Sequence, residues 1–211
     1  SELANENLRK SGVKEEQIFF VGNTMIDTLF KQRPNFKKPL VWDKLGLKEK
    51  EYIVMTLHRP ANVDEGTKLQ ELMSEIINHS HDEPLVFPVH PRTAKIIEEL
   101  GVSHSRLHMI EPLSYLEFNY LVEKAKAVVT DSGGITEEAS MMNVPCMTLR
   151  DNTERPETIT LGTNELLGTD PKAIQPAMEK LFAGDWKQGQ EIPMWDGKTA
   201  ERIVEVLVGL K

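Results

Sequence analysis

The sequence holds a single cysteine, Cys146, and no long hydrophobic run. One cysteine excludes an intramolecular disulfide and a cysteine-based zinc site, and its place in the apolar run 144–147 predicts a small buried residue. No run approaches the about 20 apolar residues of a membrane helix, and no apolar signal segment follows a basic start. We therefore expect no membrane partner and a location in the reducing cytoplasm.

Positively charged residues are outnumbered, with 25 Lys and Arg residues against 33 Asp and Glu residues and a net charge of −8. This balance argues against a nucleic-acid partner, because nucleic acids and anionic membranes attract basic surfaces. It still allows a local phosphate pocket. The 211 residues suit one large domain. Because the chain opens at Ser1 without Met, we interpret residues 1–211 as a single domain excised from a longer protein.

Short apolar runs alternate with helical patterns of about ten residues. The runs predict strands at 18–21, 52–55, 85–87, 107–110, 127–130 and 144–149. Helical spacing predicts a helix that begins near Leu3, further helices at 25–30, 69–77, 96–100, 113–121, 134–142, 174–182 and 202–210, and an exposed loop at 33–39. This alternation predicts an α/β fold with a doubly wound parallel sheet and helices on both faces, in which ligands bind beyond the carboxyl ends of the strands.

The strongest local signal is Asp131-Ser132-Gly133-Gly134, which follows a predicted strand and opens a helix. The glycines let a ligand approach the backbone, and free N–H groups at a helix start favour an anion, above all phosphate. Ser132 can add a hydroxyl donor, and Glu138 can accept from a ligand hydroxyl such as that of a ribose. The alternative is a tight turn with a solvated Glu138. Neither a Walker A motif nor G-x-G-x-x-G is present, so ATPase and dinucleotide functions have little support.

Two further strand-to-helix loops each carry a histidine. His58 and Arg59 follow the strand at 52–55 and suit a diphosphate by charge and donor geometry, although on its own this pattern favours a surface loop in which His58 bonds to backbone. His90 precedes Pro91, which suits a first helical turn, and a structural role fits His90 as well as a site role does.

A charged loop follows the last predicted strand. Arg150 and Arg155 can hold phosphate, or they can pair with Glu154 and Glu157 in an internal ion-pair network. Both interpretations stay open.

The remaining histidines and two tryptophans give weaker signals. His104 and His108 are four residues apart, but the strand predicted around His108 removes the helical spacing of metal ligands, so we expect no metal site there. The turn at 79–82 is more typical of a solvated surface than of a metal site. Trp186 and Trp195 are predicted to pack within the fold or at an interface rather than to stack on a ligand.

Together these loops resemble the C-terminal domain of the UDP-N-acetylglucosamine 2-epimerase family, which has the two-domain glycosyltransferase-B architecture. The resemblance runs from Leu3 to Asp170. Its motifs are Gly22-Asn23-Thr24-Met25-Ile26-Asp27, His58-Arg59-Pro60-Ala61-Asn62-Val63-Asp64, His90-Pro91, Glu111-Pro112-Leu113, Asp131-Ser132-Gly133-Gly134 with Glu137-Glu138, and Arg150-Asp151 with Thr153-Glu154-Arg155-Pro156-Glu157. Ala61, Thr136 and Asn152 depart from the residues that are usual in this family.

The resemblance implies that a UDP-sugar lies in a cleft between two domains and assigns it contacts in this chain. The implied UDP contacts are Ser132, Gly133 and Gly134 with His58 and Arg155 at the phosphates, Glu138 at the ribose and Phe118 at the uracil. The resemblance further implies an adjacent activating site for a second UDP-GlcNAc, which would include Arg59 and His90.

The chemistry implied by the resemblance is that of the non-hydrolysing members. UDP is eliminated from C1 and C2 to give a glycal, and it adds back with the proton on the other face of C2, which yields UDP-ManNAc. His58 is the residue of this chain that the family links to catalysis, through the leaving diphosphate. The carboxylate acid/base residues lie mostly in an N-terminal domain for which this chain has no room.

Four expectations follow from the resemblance. The isolated chain is folded but inactive, residues 184–211 form a loop and helix that pack towards the absent N-terminal domain, the full-length protein is a homodimer, and no cofactor is needed. Two alternatives stay open. A hydrolysing epimerase or an epimerase of UDP-diacetamido sugars shares the nucleotide loops, and a stand-alone nucleotide-sugar-binding module has no chemistry. A glycosyltransferase of the same architecture is less favoured, since Thr153-Glu154-Arg155-Pro156-Glu157 is not its usual signature.

Overall fold

The computed structural model describes residues 1–209, and residues 210 and 211 lie outside the described part. Its strands form one six-stranded parallel sheet in the order β3-β2-β1-β4-β5-β6. The strands are β1 Ile53–Thr56, β2 Leu85–Pro88, β3 Leu107–Ile110, β4 Ala127–Thr130, β5 Cys146–Thr148 and β6 Asn164–Leu166. The order reverses between β1 and β4, which places the topological switch point of a doubly wound sheet there.

Helices connect the strands and flank the sheet. They are α1 Glu2–Lys10, α2 Thr24–Gln32, α3 Leu40–Lys44, α4 Pro60–Val63, α5 Gly66–His79, α6 Pro91–Glu99, α7 Tyr115–Lys124, α8 Gly133–Met141, α9 Glu157–Thr160, α10 Ile174–Phe182 and α11 Thr199–Gly209. None of the helices described between residues 1 and 209 has the length and apolarity that crossing a bilayer requires.

Successive strand residues face opposite sides of the sheet, so each face has its own apolar core. Ile53 and Met55 of β1 point into the core that contains side chains of α5, α6 and α10. Val54 points into the opposite core, which contains side chains of α2, α7 and α8. Cys146 is fully buried in this second core, as predicted. The predicted doubly wound α/β fold is therefore confirmed.

The strand predicted at 18–21 is wrong. A short 3-10 helix, Glu15–Gln17, precedes this segment, and residues 18–21 are irregular and outside the sheet. The Val21 carbonyl accepts from Arg202 Nη1 at 3.2 Å, while Phe20 and Trp195 line a common cavity. This apolar run thus packs against the C-terminal part of the chain, and its backbone bonds to a side chain instead of a strand.

The helix predicted at 202–210 begins three residues earlier, and Leu210 lies outside the described residues. The Asp27 carboxylate accepts from the backbone N–H groups of Thr199, at 3.1 Å, and Ala200, at 2.7 Å. A carboxylate at a helix start satisfies free N–H groups and interacts favourably with the helix dipole. A side chain distant in sequence therefore fixes where α11 starts.

The segment that joins α10 to α11 belongs partly to the core. Trp186 and Trp195 are buried, and Trp186 donates to the Thr163 carbonyl at 2.8 Å, so the predicted packing role of both tryptophans is confirmed. By contrast, α11 exposes more than half of Val204 and Leu207. The packing of residues 184–211 towards another domain remains a prediction.

Candidate functional site

Three polar loops meet where β1, β4 and β5 end. The Thr56 and Thr130 hydroxyls are 2.7 Å apart at the ends of β1 and β4, which pair in parallel there. The Asn62 amide, in the short helix α4 after β1, donates to the Leu149 carbonyl after β5 at 3.0 Å. The sheet therefore brings the His58, Ser132 and Arg150 loops together at the switch point, where ligands bind in such folds.

Helix α8 begins at this edge with Gly133 and Gly134, and Ser132 is its N-cap. Within the part of the chain that the structure describes, no side chain caps α8 by a hydrogen bond, and its first turn holds no acidic residue. The Ser132 N–H donates to the Thr130 hydroxyl at 3.0 Å. An uncapped helix start carries free N–H groups and partial positive charge, so it suits an anion.

A charged pair stands beside this helix start. Arg150 donates to Glu154 in two bonds, of 2.9 and 2.6 Å, and Arg150 is 6% exposed. A Cβ added to Gly133 would lie 3.5 Å from Arg150 Nη1 and 3.6 Å from Glu154 Oε2. The bonds from Arg150 lower the pKa of Glu154 to about 2. Of the two interpretations of the charged loop, the structure shows the ion pair for Arg150.

His58 projects from the loop after β1 and is held by Asp131. Its Nδ1 is 2.7 Å from Asp131 Oδ1, and its side chain is 60% exposed while that of Asp131 is fully buried. Because the hydrogen bond that His58 donates to Asp131 favours the imidazolium, the pKa of His58 is raised. Burial opposes ionisation of Asp131, but bonds from His58, the Arg59 N–H and Asn62 outweigh it, and the pKa of Asp131 is lowered. The side chain of His58 thus bonds to a carboxylate and not to backbone.

The neighbouring Arg59 is tied to the same residue, since its Nε donates to the Asp131 carbonyl at 3.0 Å. Arg59 also lines a small cavity with Arg150 and Asn152.

Arg155 pairs with Glu137, and not with Glu154 or Glu157 as sequence reasoning considered. Its Nε lies 2.8 Å from Glu137 Oε1, and the Asn23 amide donates to Glu137 Oε2 at 2.6 Å. Asn23 in turn caps α2 by accepting from the Met25 N–H at 2.9 Å. The motif at 22–27 and the Arg155 loop are therefore joined through one nearly buried carboxylate.

Glu138 faces α7. The Tyr115 hydroxyl donates to Glu138 Oε1 at 2.8 Å, and Glu138 is 5% exposed. Burial raises the pKa of Glu138, although bonds from Tyr115 and Asn119 partly oppose the effect. The alternative of a solvated Glu138 is wrong. Phe118, on the same helix, is partly buried against the second core.

His90 has a different environment from His58. It is the N-cap of α6, and its Nδ1 accepts from the Arg92 N–H at 3.3 Å. Among the residues described, no hydrogen bond or ion pair joins His90 to His58, Ser132 or Arg155. The structure thus brings His58, Arg59 and the Ser132 loop together and leaves His90 one strand away, at the end of β2.

Sequence reasoning missed the roles of Asp131, Glu137 and Tyr115. Asp131 and Glu137 lie inside the motif that drew attention to Ser132, but their partners come from other loops. An apolar run that is followed within two residues by an acidic residue is a usable signal for Asp131, because a carboxylate next to a buried strand needs donors when it is buried. In the described residues, no three His, Cys, Asp or Glu side chains are grouped so that they could hold a metal ion.

Known proteins resemble this chain along nearly its whole length. Residues 1–208 match the family model described as UDP-N-acetylglucosamine 2-epimerase. Proteins of that name from Methanocaldococcus jannaschii and Methanococcus maripaludis are 37% and 38% identical over 98% and 100% of this chain, and the matches cover 59% and 60% of those relatives. The chain thus spans about three-fifths of their length.

A solved structure agrees with these relatives. The crystal structure of M. jannaschii UDP-GlcNAc 2-epimerase in complex with UDP-GlcNAc and UDP has a TM-score of 0.86 and 36% identity to this chain, over 99% of this chain and 59% of that one.

Proposed function

The chain belongs to the UDP-N-acetylglucosamine 2-epimerase family, and on that premise we propose that it is the UDP-sugar-binding part of an enzyme that interconverts UDP-GlcNAc and UDP-ManNAc. In the proposed reaction a base removes the proton from C2 of the sugar while the C1–O bond to UDP breaks, which gives a glycal with a C1–C2 double bond and free UDP. Readdition of UDP, with the proton on the other face of C2, completes the epimerisation.

The observation that carries this proposal is the uncapped start of α8 beside His58. Gly133 and Gly134 provide N–H groups and Ser132 provides its hydroxyl for the phosphates, and the raised pKa of His58 favours a cation next to them. Negative charge builds on UDP as the C1–O bond breaks. A helix start and an imidazolium that are already in place stabilise that charge without reorganisation, which is how an enzyme lowers such a barrier.

The nucleoside is proposed to lie along α7. Glu138 keeps one carboxylate oxygen for the ribose hydroxyls while the other accepts from Tyr115. Phe118 is proposed to line the uracil, since an aromatic ring on the same helix suits a planar base.

Arg155 is proposed to approach the phosphates from the charged loop, where Glu137 already orients its guanidinium. Arg59 and His90 are proposed to contact a second UDP-GlcNAc that activates the enzyme. Arg59 lies at the side of the site that faces the loop after β5, and a small cavity adjoins it there.

Proton transfer at C2 needs a carboxylate that is free to act, and the three acidic residues beside His58, Arg150 and Arg155 are already paired. Asp131 accepts from His58, Glu137 pairs with Arg155, and Glu154 pairs with Arg150. We therefore propose that acid/base groups come from a further domain and that the isolated chain binds UDP but does not epimerise UDP-GlcNAc. From the family resemblance we also propose that the whole protein is a cytoplasmic homodimer.

Calorimetry with UDP tests the binding part of this proposal. Gly133→Ala adds a methyl whose nearest atoms lie at ordinary contact distance, so the fold should persist while the phosphates are kept from the helix start. We expect UDP affinity to fall by about tenfold or more, which corresponds to about 1.4 kcal/mol. Gly209→Ala, in open space on α11, is the matched control. Unchanged affinity in Gly133→Ala would show that the phosphates do not bind at the start of α8.

Proton NMR in deuterated water with UDP-GlcNAc tests the chemistry, using this chain and the full-length protein that contains it. We expect deuterium at C2 and UDP-ManNAc from the full-length protein, and neither from this chain. Free ManNAc with UDP would identify a hydrolysing epimerase instead. Epimerisation by this chain alone would refute the need for a further domain.

A further inference from the structure

Asp131 lies where two loops of the site meet. It directly follows Thr130 at the end of β4, whose partner Thr56 on β1 is two residues before His58. The Asp131 side chain is fully buried, although it belongs to a sharply turning loop at the sheet edge. A buried carboxylate is costly unless several donors satisfy it.

The donors of Asp131 all come from the His58 loop. Its oxygens accept from the backbone N–H of His58 at 3.1 and 3.2 Å, from that of Arg59 at 2.9 Å and from the Asn62 amide at 3.1 Å. His58 Nδ1 is closer still, at 2.7 Å. The backbone bonds fix the path of the loop and the last bond fixes the ring, so the imidazole has little freedom to turn.

This bond also decides which nitrogen carries the proton. A neutral imidazole carries one proton, and the hydrogen bond made by one nitrogen selects the state of the other. An ionised carboxylate only accepts, so Asp131 requires a proton on His58 Nδ1. Nε2 is then left for the exposed side of the ring.

Two other histidines show the opposite arrangement. His90 Nδ1 accepts from the Arg92 N–H at 3.3 Å, and His104 Nδ1 accepts from the Arg106 N–H at 3.2 Å. When neutral, both should carry their proton on Nε2.

We propose that Asp131 is the positioning residue of His58: it holds the proton on Nδ1 and thereby presents Nε2 to the diphosphate. The orientation of the ring follows from this structure alone, while the contact of Nε2 with a diphosphate rests on the proposed function. Asp131 itself is buried beneath the loop and acts on the ligand only through His58 and the adjoining backbone.

The direct test is nitrogen NMR of this chain with 15N-labelled histidines and no nucleotide. The chain has 6 histidines, and a His58→Gln variant assigns the signal of interest. At a pH where the rings are neutral, His58 should show a protonated Nδ1 and an unprotonated Nε2, whereas His90 and His104 should show the reverse. The wild-type spectrum needs no variant at Asp131. A protonated Nε2 or a mixture of tautomers at His58 would overturn the proposal.

The substitution Asp131→Asn removes the negative charge of this side chain and nearly keeps its shape. Other charges around His58 are the adjacent Arg59 and the Arg150–Glu154 pair beyond it, and this variant leaves them unchanged. If the variant folds, we expect the Nδ1-protonated signature of His58 to be lost while those of His90 and His104 persist. An unchanged His58 signal would overturn the proposal, and the matched variant Asp151→Asn should change none of the three.

Titration with UDP distinguishes failure of this inference from failure of the proposed function. We expect UDP to shift the Nε2 signal of His58 more than the Nδ1 signal. UDP that leaves every signal of the site unmoved would refute the proposed function, whatever tautomer the free chain shows. UDP that binds but moves Nδ1 more than Nε2 would refute the positioning role alone.

Discussion

After β1 and again after β2 the chain runs through a histidine to a proline that begins a helix. In the first loop His58 donates from Nδ1 to Asp131. In the second, His90 accepts at Nδ1 from the N–H of Arg92 and caps α6. The same local pattern therefore yields a ring bound to a buried carboxylate in one place and a helix cap in the other.

The difference lies in the acidic residue that follows each neighbouring strand. β1 lies next to β4 at the switch point, and the His58 loop covers Asp131, which is buried at the end of β4. β2 pairs with β3 in the equivalent register, and Glu111 follows β3 as Asp131 follows β4, but Glu111 is exposed and no hydrogen bond or ion pair joins it to His90 among the described residues. A histidine at a strand end thus gains an acidic partner only where the fold buries the acid beneath its loop, which explains why local sequence cannot separate the two roles.

Of the changes to these two loops, removal of the Asp131 carboxylate should lower the free energy of unfolding most. Asp131→Ala leaves the N–H groups of His58 and Arg59 and the Asn62 amide without their acceptor. Breaking a buried charged network by removal of one partner costs about 3–5 kcal/mol. Urea unfolding followed by circular dichroism would measure the loss, with Asp151→Ala as a control at an exposed carboxylate. A loss below about 1 kcal/mol would show that water or other groups replace the carboxylate easily.

The second effect concerns ligand binding. His58→Ala removes a charged donor from the proposed diphosphate site, and a hydrogen bond to a charged group contributes about 1.5–3 kcal/mol. We expect UDP affinity to fall at least about tenfold, measured by calorimetry. His104→Ala, which removes another exposed histidine whose Nδ1 accepts from backbone, is the matched control. Equal UDP affinity for both variants would show that His58 does not contact the diphosphate.

The third effect belongs to the second loop. His90→Ala removes the N-cap acceptor of α6, and loss of an N-cap side chain costs about 1 kcal/mol of stability. Urea unfolding should therefore show a smaller loss than for Asp131→Ala. His90→Asn restores an acceptor at this position and should recover the stability, because asparagine is a good N-cap residue. A loss of stability as large as that of Asp131→Ala would mean that the His90 side chain contributes as much to stability as the Asp131 carboxylate does.

These residues also show what sequence can provide. The apolar runs located β1 to β5, since buried parallel strands are continuous and apolar. β6, with Asn164 and Glu165, has no continuous apolar run and was not predicted. The segment 18–21 has such a run but does not join the sheet. The Ser132 loop could be located because its glycines and its place before a helix are local features. The partners of His58 and Arg155 could not, because they depend on which strands become neighbours.

The smallest effect is the pH dependence of the His58–Asp131 pair. The pKa of His58 is raised on folding, so its contribution to stability is present below its unfolded value of about 6.5 and is lost as the pH rises through the folded value. The pKa of Asp131 is lowered, so its contribution is present above about 3.9 and is lost as the pH falls through the folded value. The pair should therefore contribute most between about pH 4 and 6.5.

Because His58 is 60% exposed, solvent screening limits its contribution to stability to less than about 1 kcal/mol. The free energy of unfolding of the wild type, measured across this range, should show a maximum, and His58→Ala should flatten its decline on the alkaline side. The control His104→Ala should keep the wild-type profile. A wild-type profile in His58→Ala would mean that the pair contributes no stability through its charge.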